Sequence, residues 1–191
     1  MQIAVDPLGA ETTIWGRRVG RSWVVQSATR SVGGSWSAPV TLSAAGAGSA
    51  LVAAGPEGSV TAVWLLEREE GWRSVVQSAT RPAGGSWSRP VDITTGHGRG
   101  GQHLQLVVDS WGSATAIWEG YDTRPGPNFA IQAAKHPPGG VWSRPTDISR
   151  WTNSLGEPQI AVGPQGRSTA IWAIGAKGGS VIQSATSGLT R

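Results

Sequence analysis

Aromatic rings set beside acids, guanidinium groups and amides can grip a sugar or a peptide. This chain gathers such residues in a few unrepeated stretches, at Trp72, Tyr121, Asp122, Arg124, Arg150, Trp151 and Asn153. An aromatic face stacks on an apolar surface while Asp, Arg and Asn direct hydrogen bonds, the mixture that ligand pockets use. Tyr121 stands between Glu119 and Asp122, so carboxylates are at hand. Glycosidic hydrolysis needs two of them about 5–10 Å apart, and spacing along the chain does not fix that distance. His97 and His103 lie in a glycine-rich stretch with no third ligand beside them, and the chain has no cysteine. A metal site is therefore not expected. Nothing rises to a catalytic signature, and no cofactor is expected.

What positions these residues is a repeat. The phrase Gly-Gly-x-Trp-Ser-x-Pro occurs at Gly33–Pro39, Gly84–Pro90 and Gly139–Pro145. Trp15, Trp64, Trp118 and Trp172 recur independently, as do Gln26, Gln77, Gln132 and Gln183, both at a period of about 50 residues. The units are approximately 2–48, 49–101, 102–157 and 158–191, and the fourth lacks its Gly-Gly-x-Trp phrase. Repeats of this kind share one continuous core, so a single domain is expected.

Each unit reads as four short strands. The first is Ile3-Ala4-Val5 and its counterparts, followed by tight turns such as Asp6-Pro7-Leu8-Gly9 and Gly55-Pro56-Glu57-Gly58, in which Pro presets φ and Gly relieves crowding. The second ends on the recurring Trp and the third carries the recurring Gln. The fourth runs from Trp36 to Leu42, Trp87 to Ile93 and Trp142 to Ile148, with Pro39, Pro90 and Pro145 inside it. Proline is tolerable there only on a sheet edge. Four antiparallel strands per unit make a blade, and the chain is expected to be an all-β propeller of about four blades whose last blade lacks its outer strand.

Composition narrows the partners. Net charge is +4, but the 16 Lys and Arg are spread evenly and mixed with acids such as Glu67, Glu69 and Glu70. A phosphate-tracking surface needs them clustered, so nucleic acid is not expected as a partner. No apolar run approaches the roughly 18–20 residues that span a bilayer, so no membrane insertion is expected. Met1 leads straight into a strand-like segment, without the basic and apolar regions of a signal peptide.

The turn between third and fourth strands resembles a degenerate Asp-box, the Ser/Thr-x-Asp-x-Gly-x-x-Trp turn of sialidase-type propellers. The matching residues are Thr29, Ser31, Gly33 and Trp36; Thr80, Pro82, Gly84 and Trp87; and Lys135, Pro137, Gly139 and Trp142. Gly and Trp hold in all three, the leading Ser/Thr in two and the Asp in none. Whole units are similar to the repeats of actinobacterial secreted proteins labelled sialidase-like. The resemblance implies a propeller fold and an extracellular location. For an active sialidase it also implies an arginine triad, a Tyr nucleophile with a Glu partner and an Asp acid/base. Tyr121 is the only tyrosine, and the Phe-Arg-Ile-Pro motif of that family is absent.

The seven repeated tryptophans (Trp15, Trp36, Trp64, Trp87, Trp118, Trp142 and Trp172) are expected to dominate packing between blades. Each buries roughly 150–250 Å², an upper bound of about 4–6 kcal/mol. The recurring Gln is expected to hydrogen-bond neighbouring strands. Chemistry then belongs to the end of the blades that carries the variable loops, 16–22, 66–72, 119–128 and 173–179, with 95–101 and 150–157, the face on which His97 and His103 join the residues named above. The leading expectation is a non-catalytic module binding a glycan or a protein through that face. The alternatives are a sialidase-like glycoside hydrolase and a structural module that completes a larger propeller as a homo-oligomer.

Overall fold

The computed structural model describes residues 1–68, 74–94, 99–122, 126 and 128–187, with residues 99 and 100 described by their backbone alone. Trp72, His97 and Arg124 lie outside the described residues. Fifteen strands form four antiparallel sheets, with no helix among the described residues. The first sheet holds β1 (Gln2–Val5), β2 (Glu11–Val19), β3 (Ser22–Arg30) and β4 (Val40–Thr41), and the second β5 (Ala47–Ala54), β6 (Val60–Glu67), β7 (Ser74–Arg81) and β8 (Val91–Asp92). The third holds β9 (Arg99–Val108), β10 (Ala114–Asp122), β11 (Phe129–His136) and β12 (Thr146–Asp147), and the fourth β13 (Gln159–Val162), β14 (Ser168–Ala176) and β15 (Gly179–Thr186). In every sheet the strands lie in sequence order. The chain is a β-propeller of four blades, the last with three strands.

Turn chemistry sets the blade. Asp6 Oδ1 accepts hydrogen bonds from the backbone N–H groups of Leu8 and Ala10, both at 2.9 Å, and Gly9 completes the turn at a φ of 82°. Asp109 repeats this arrangement with Trp111 and Ser113. Gly33, Gly84 and Gly139 take φ of 69°, 64° and 65° between the third and fourth strands, a region that costs glycine little and other residues more. The turn between third and fourth strands therefore closes through its backbone: the N–H groups of Gly34, Gly85 and Gly140 donate to the carbonyls of Ser31, Pro82 and Pro137.

The fourth strands are shorter than the sequence implies. Only two residues pair in each, and Pro39, Pro90 and Pro145 immediately precede the ladder instead of lying within it. Without an N–H they cannot extend it, so the edge position holds while the pairing starts one residue later.

Three apolar clusters join the blades. Ile14 and Val25 of the first blade pack on Val52, Ala62, Trp64 and Ala79 of the second. Val63, Val76 and Ile93 pack on Leu104, Ala116, Trp118 and Ala134 of the third, and Ile117 and Ile131 on Ala170 and Trp172 of the fourth. The back of each blade thus supplies branched aliphatics to the Trp and Ala on the front of the next. Among the described residues no cluster joins the fourth blade to the first.

This arrangement corrects the equal weight given to seven tryptophans. Trp64, Trp118 and Trp172 are buried, Trp15, Trp87 and Trp142 half-buried, and Trp36 exposed. Trp87 and Trp142 pack against the cluster shared with the preceding blade. Trp36 belongs to the first blade, on whose front no other blade packs among the described residues; its ring lies 4.9 Å from the Arg30 guanidinium instead.

In the second and third blades the recurring glutamine bridges second and fourth strands. Trp64 Nε1 donates to Gln77 Oε1 at 3.1 Å and Gln77 Nε2 donates to Asp92 Oδ1 at 2.7 Å. Trp118, Gln132 and Asp147 repeat the relay at 3.0 and 2.8 Å. In the first blade Gln26 donates to Thr41 Oγ1, and in the fourth Trp172 donates to Gln183. A buried amide needs partners on both its atoms, and the relay supplies them.

Candidate functional site

The innermost strands β1, β5 and β9 line a central cleft of about 420 Å³, bounded by Met1, Gln2, Trp15, Gly16, Ser49, Ala50, Leu51, His103 and Leu104. Strand direction places it toward the variable-loop end, because β1 starts there and the tight β1–β2 turn lies at the other end. Its lining combines an indole, an imidazole, a primary amide and a hydroxyl with a short aliphatic wall. No Lys or Arg is part of the described lining.

A break in strand register puts His103 there. Between β9 and β10 the pairing shifts from Gln102↔Glu119 to Gln105↔Ile117, so His103 and Leu104 bulge opposite Trp118. Ser49 and Ala50 bulge opposite Trp64 at the matching place in the second blade. His103 takes a φ of 51° and Ser49 one of 48°, conformations uncommon for residues with a Cβ. Bulges re-aim side chains. Here they turn one side chain from each of two adjacent blades toward the axis, and the bulge itself belongs to the blade architecture.

A buried carboxylate holds His103. Glu119 is 4 % exposed, its Oε2 lies 3.0 Å from His103 Nδ1 and its Oε1 accepts from Gln102 Nε2 at 2.8 Å. Glu157 Oε1 approaches the other ring nitrogen at 3.4 Å, from the connection into the fourth blade. The two carboxylates meet opposite edges of the imidazole and do not converge on a common point. Accordingly, no group of three acidic or histidine side chains among the described residues is placed to hold a metal ion. With both oxygens engaged and little solvent, Glu119 is built to orient His103.

Of the residues singled out from the sequence, the described Tyr121, Asp122, Arg150, Trp151 and Asn153 belong to the same end of the third blade. Tyr121 packs against Phe129 with ring centroids 5.3 Å apart, and Phe129 forms an isolated bridge with Thr152. Segment 150–153 therefore lies beside β11, near Tyr121. Trp151 Nε1 donates to Asp147 Oδ2 at 2.8 Å, which ties this ring to the Trp118–Gln132–Asp147 relay. Asp122 is buried, with its N–H donating to the Asn128 carbonyl. Arg150 and Asn153 are exposed.

Trp15 and Glu119 were not assigned to a binding site from the sequence. Trp15 reads as one of four equivalent core tryptophans, and only the absence of a blade packed on its front leaves it lining a cleft. Glu119 reads as a loop acid beside Tyr121, whereas β10 carries it inside the sheet and the bulge in β9 brings His103 onto it.

No family model matches this chain, and no curated protein matches it either. Solved structures share its fold. An endo-arabinase from Bacteroides thetaiotaomicron is similar at a TM-score of 0.55 and 10 % identity, over 98 % of this chain and 74 % of its own. A polysaccharide lyase is similar at 0.56 and 12 % identity, over 98 % of this chain and 49 % of its own. At these identities the likeness is one of fold. This chain spans about half the length of the lyase.

Proposed function

We propose that this chain is a non-catalytic binding module that takes a glycan into the central cleft at its variable-loop end. The observation that carries the reading is that Trp15 and His103 line the same cleft, with Gln2 and Ser49. An indole offers a face for the apolar side of a pyranose, and Gln2, Ser49 and the Nε2 edge of His103, which meets the exposed Glu157 at 3.4 Å, offer hydrogen bonds to its hydroxyls. Two neighbours of the same fold being an endo-arabinase and a polysaccharide lyase accords with a glycan ligand.

Electrostatics selects among glycans. Glu119 and Glu157 flank His103, and no Lys or Arg is part of the described lining. A sugar bearing its own carboxylate would meet two carboxylates there, with no Lys or Arg side chain of the described lining to offset them. The cleft therefore favours neutral or amine-bearing sugars. Both Glu119 oxygens are engaged, by Gln102 and His103, which suits a positioning role for this carboxylate rather than a nucleophile's.

An array of neutral, amino and acidic glycans, paired with a reducing-end release assay on the glycans bound, tests this reading. The expected result is retention of neutral or amino glycans without release of product. Turnover abolished by Tyr121→Phe, or no retention of any glycan, would overturn it.

A further inference from the structure

The blade faces that meet inside the chain have two unmatched counterparts at its ends. Ile14, Val63 and Ile117 are each at most 1 % exposed, and Val25, Val76 and Ile131 are fully buried, because the next blade covers them. The matching residues on the back of the fourth blade are Ile171 at 46 % and Ile182 at 69 %. On the front of the first blade, Ile3 is 56 % exposed and Trp36 42 % exposed. Their counterparts Val52 and Trp87 pack into the cluster between the first and second blades.

From this we infer that the two free faces are the halves of one interface, and that two copies of this chain associate head to tail into a closed ring of eight blades. The back of one copy's fourth blade meets the front of the other's first, twice. Three features support a second copy as the occupant. Each free face has the aliphatic or the aromatic character that its counterpart uses in three blade junctions within the chain, so the joint is continuous with an established interface. The two faces differ from each other, which selects head-to-tail over face-to-face pairing. Eight blades also lie within the range of closed propellers, typically about 4–8.

Closure bears on the cleft as well. Trp15 stands on the front of the first blade, at the open side of the ring. A second copy's fourth blade would wall the cleft beside it.

Light scattering coupled to size exclusion, run on the chain over a hundredfold range of concentration, reads this directly. The expected species has twice the 19.8 kDa chain mass, and a species at the chain mass throughout overturns the inference. Ile182→Glu and Ile3→Lys are each expected to give monomers with unchanged circular dichroism, while Val141→Glu, in an exposed turn away from both faces, stays dimeric. Mixing the Ile182→Glu and Ile3→Lys variants should restore the dimer, since the mixed pair keeps one unaltered interface and sets Glu against Lys in the other. A mixture that remains monomeric refutes the head-to-tail arrangement, as does an Ile182→Glu variant that dimerises like the parent.

Discussion

Replacing Gln132 by Leu removes the centre of a buried relay while keeping much of its volume. Trp118 Nε1, inside a fully buried indole, loses its acceptor at 3.0 Å, and Asp147 Oδ1 loses a donor at 2.8 Å. Asp147 lies on an exposed edge strand and keeps its bond from Trp151, so water can replace part of what it loses. Trp118 has no such recourse. An unsatisfied buried donor costs about 1–3 kcal/mol, and a hydrogen bond to a charged group contributes about 1.5–3 kcal/mol in full. Allowing for rehydration of Asp147, Gln132→Leu is expected to destabilise by about 2–4 kcal/mol. Gln183→Leu is the internal comparison: it breaks one longer bond, 3.2 Å from Trp172, in a blade without a fourth strand, and should cost about 0.5–1.5 kcal/mol. Urea unfolding followed by tryptophan fluorescence and circular dichroism measures both, with coincident transitions required because terminal blades can unfold separately. Equal losses for the two variants, or less than about 1 kcal/mol for Gln132→Leu, would refute the relay as a stabilising element.

Further outcomes follow from packing and titration. In Gly120→Ala the new Cβ would sit 2.6 Å from Gln132 Cδ and Oε1, and displacing that amide should cost about 1–3 kcal/mol by the same unfolding assay. Ile131→Ala, at a fully buried blade junction, should cost about 2–5 kcal/mol, while Val141→Ala in its exposed turn should stay within about 0.5 kcal/mol. Burial pulls the His136 imidazole below its ordinary value, partly offset by backbone hydrogen bonds at His136 and Gly140, and its ring lies 5.3 Å from Trp142. Its folded pKa lies below the unfolded one, so its contribution is full above the unfolded value and is lost as pH falls below it. Unfolding midpoints from pH 7.5 down to 5 should fall with acid, and His136→Phe should flatten that slope.

The propeller was legible because two unrelated landmarks kept the same period and because three prolines marked the same edge. Glycine positions at φ near 65° told the same story from turn chemistry. The relay was half legible: Gln26, Gln77 and Gln132 pointed to bonding between strands, and each meets its fourth-strand partner, Thr41, Asp92 or Asp147, 15 residues later. That constant offset was a usable signal. The open ring and its effects were harder to read, because Trp15 and Trp36 occupy the same repeat positions as tryptophans that a preceding blade covers. Residue type does not record a missing neighbour. The His103–Glu119 contact depends on a bulge whose two residues, His103 and Leu104, carry no proline or glycine to announce it.

The claim that the site is the central cleft, and not the rim around Trp151, meets its most direct test in isothermal titration with the glycan most strongly retained on the array. Trp15→Ala and His103→Ala should each weaken binding by about tenfold or more, equivalent to about 1.4 kcal/mol. Arg150→Ala and Asn153→Ala should change it by less than about twofold. Full affinity in the two cleft variants, with loss in the two rim variants, would contradict the account and move the site outward to the third blade.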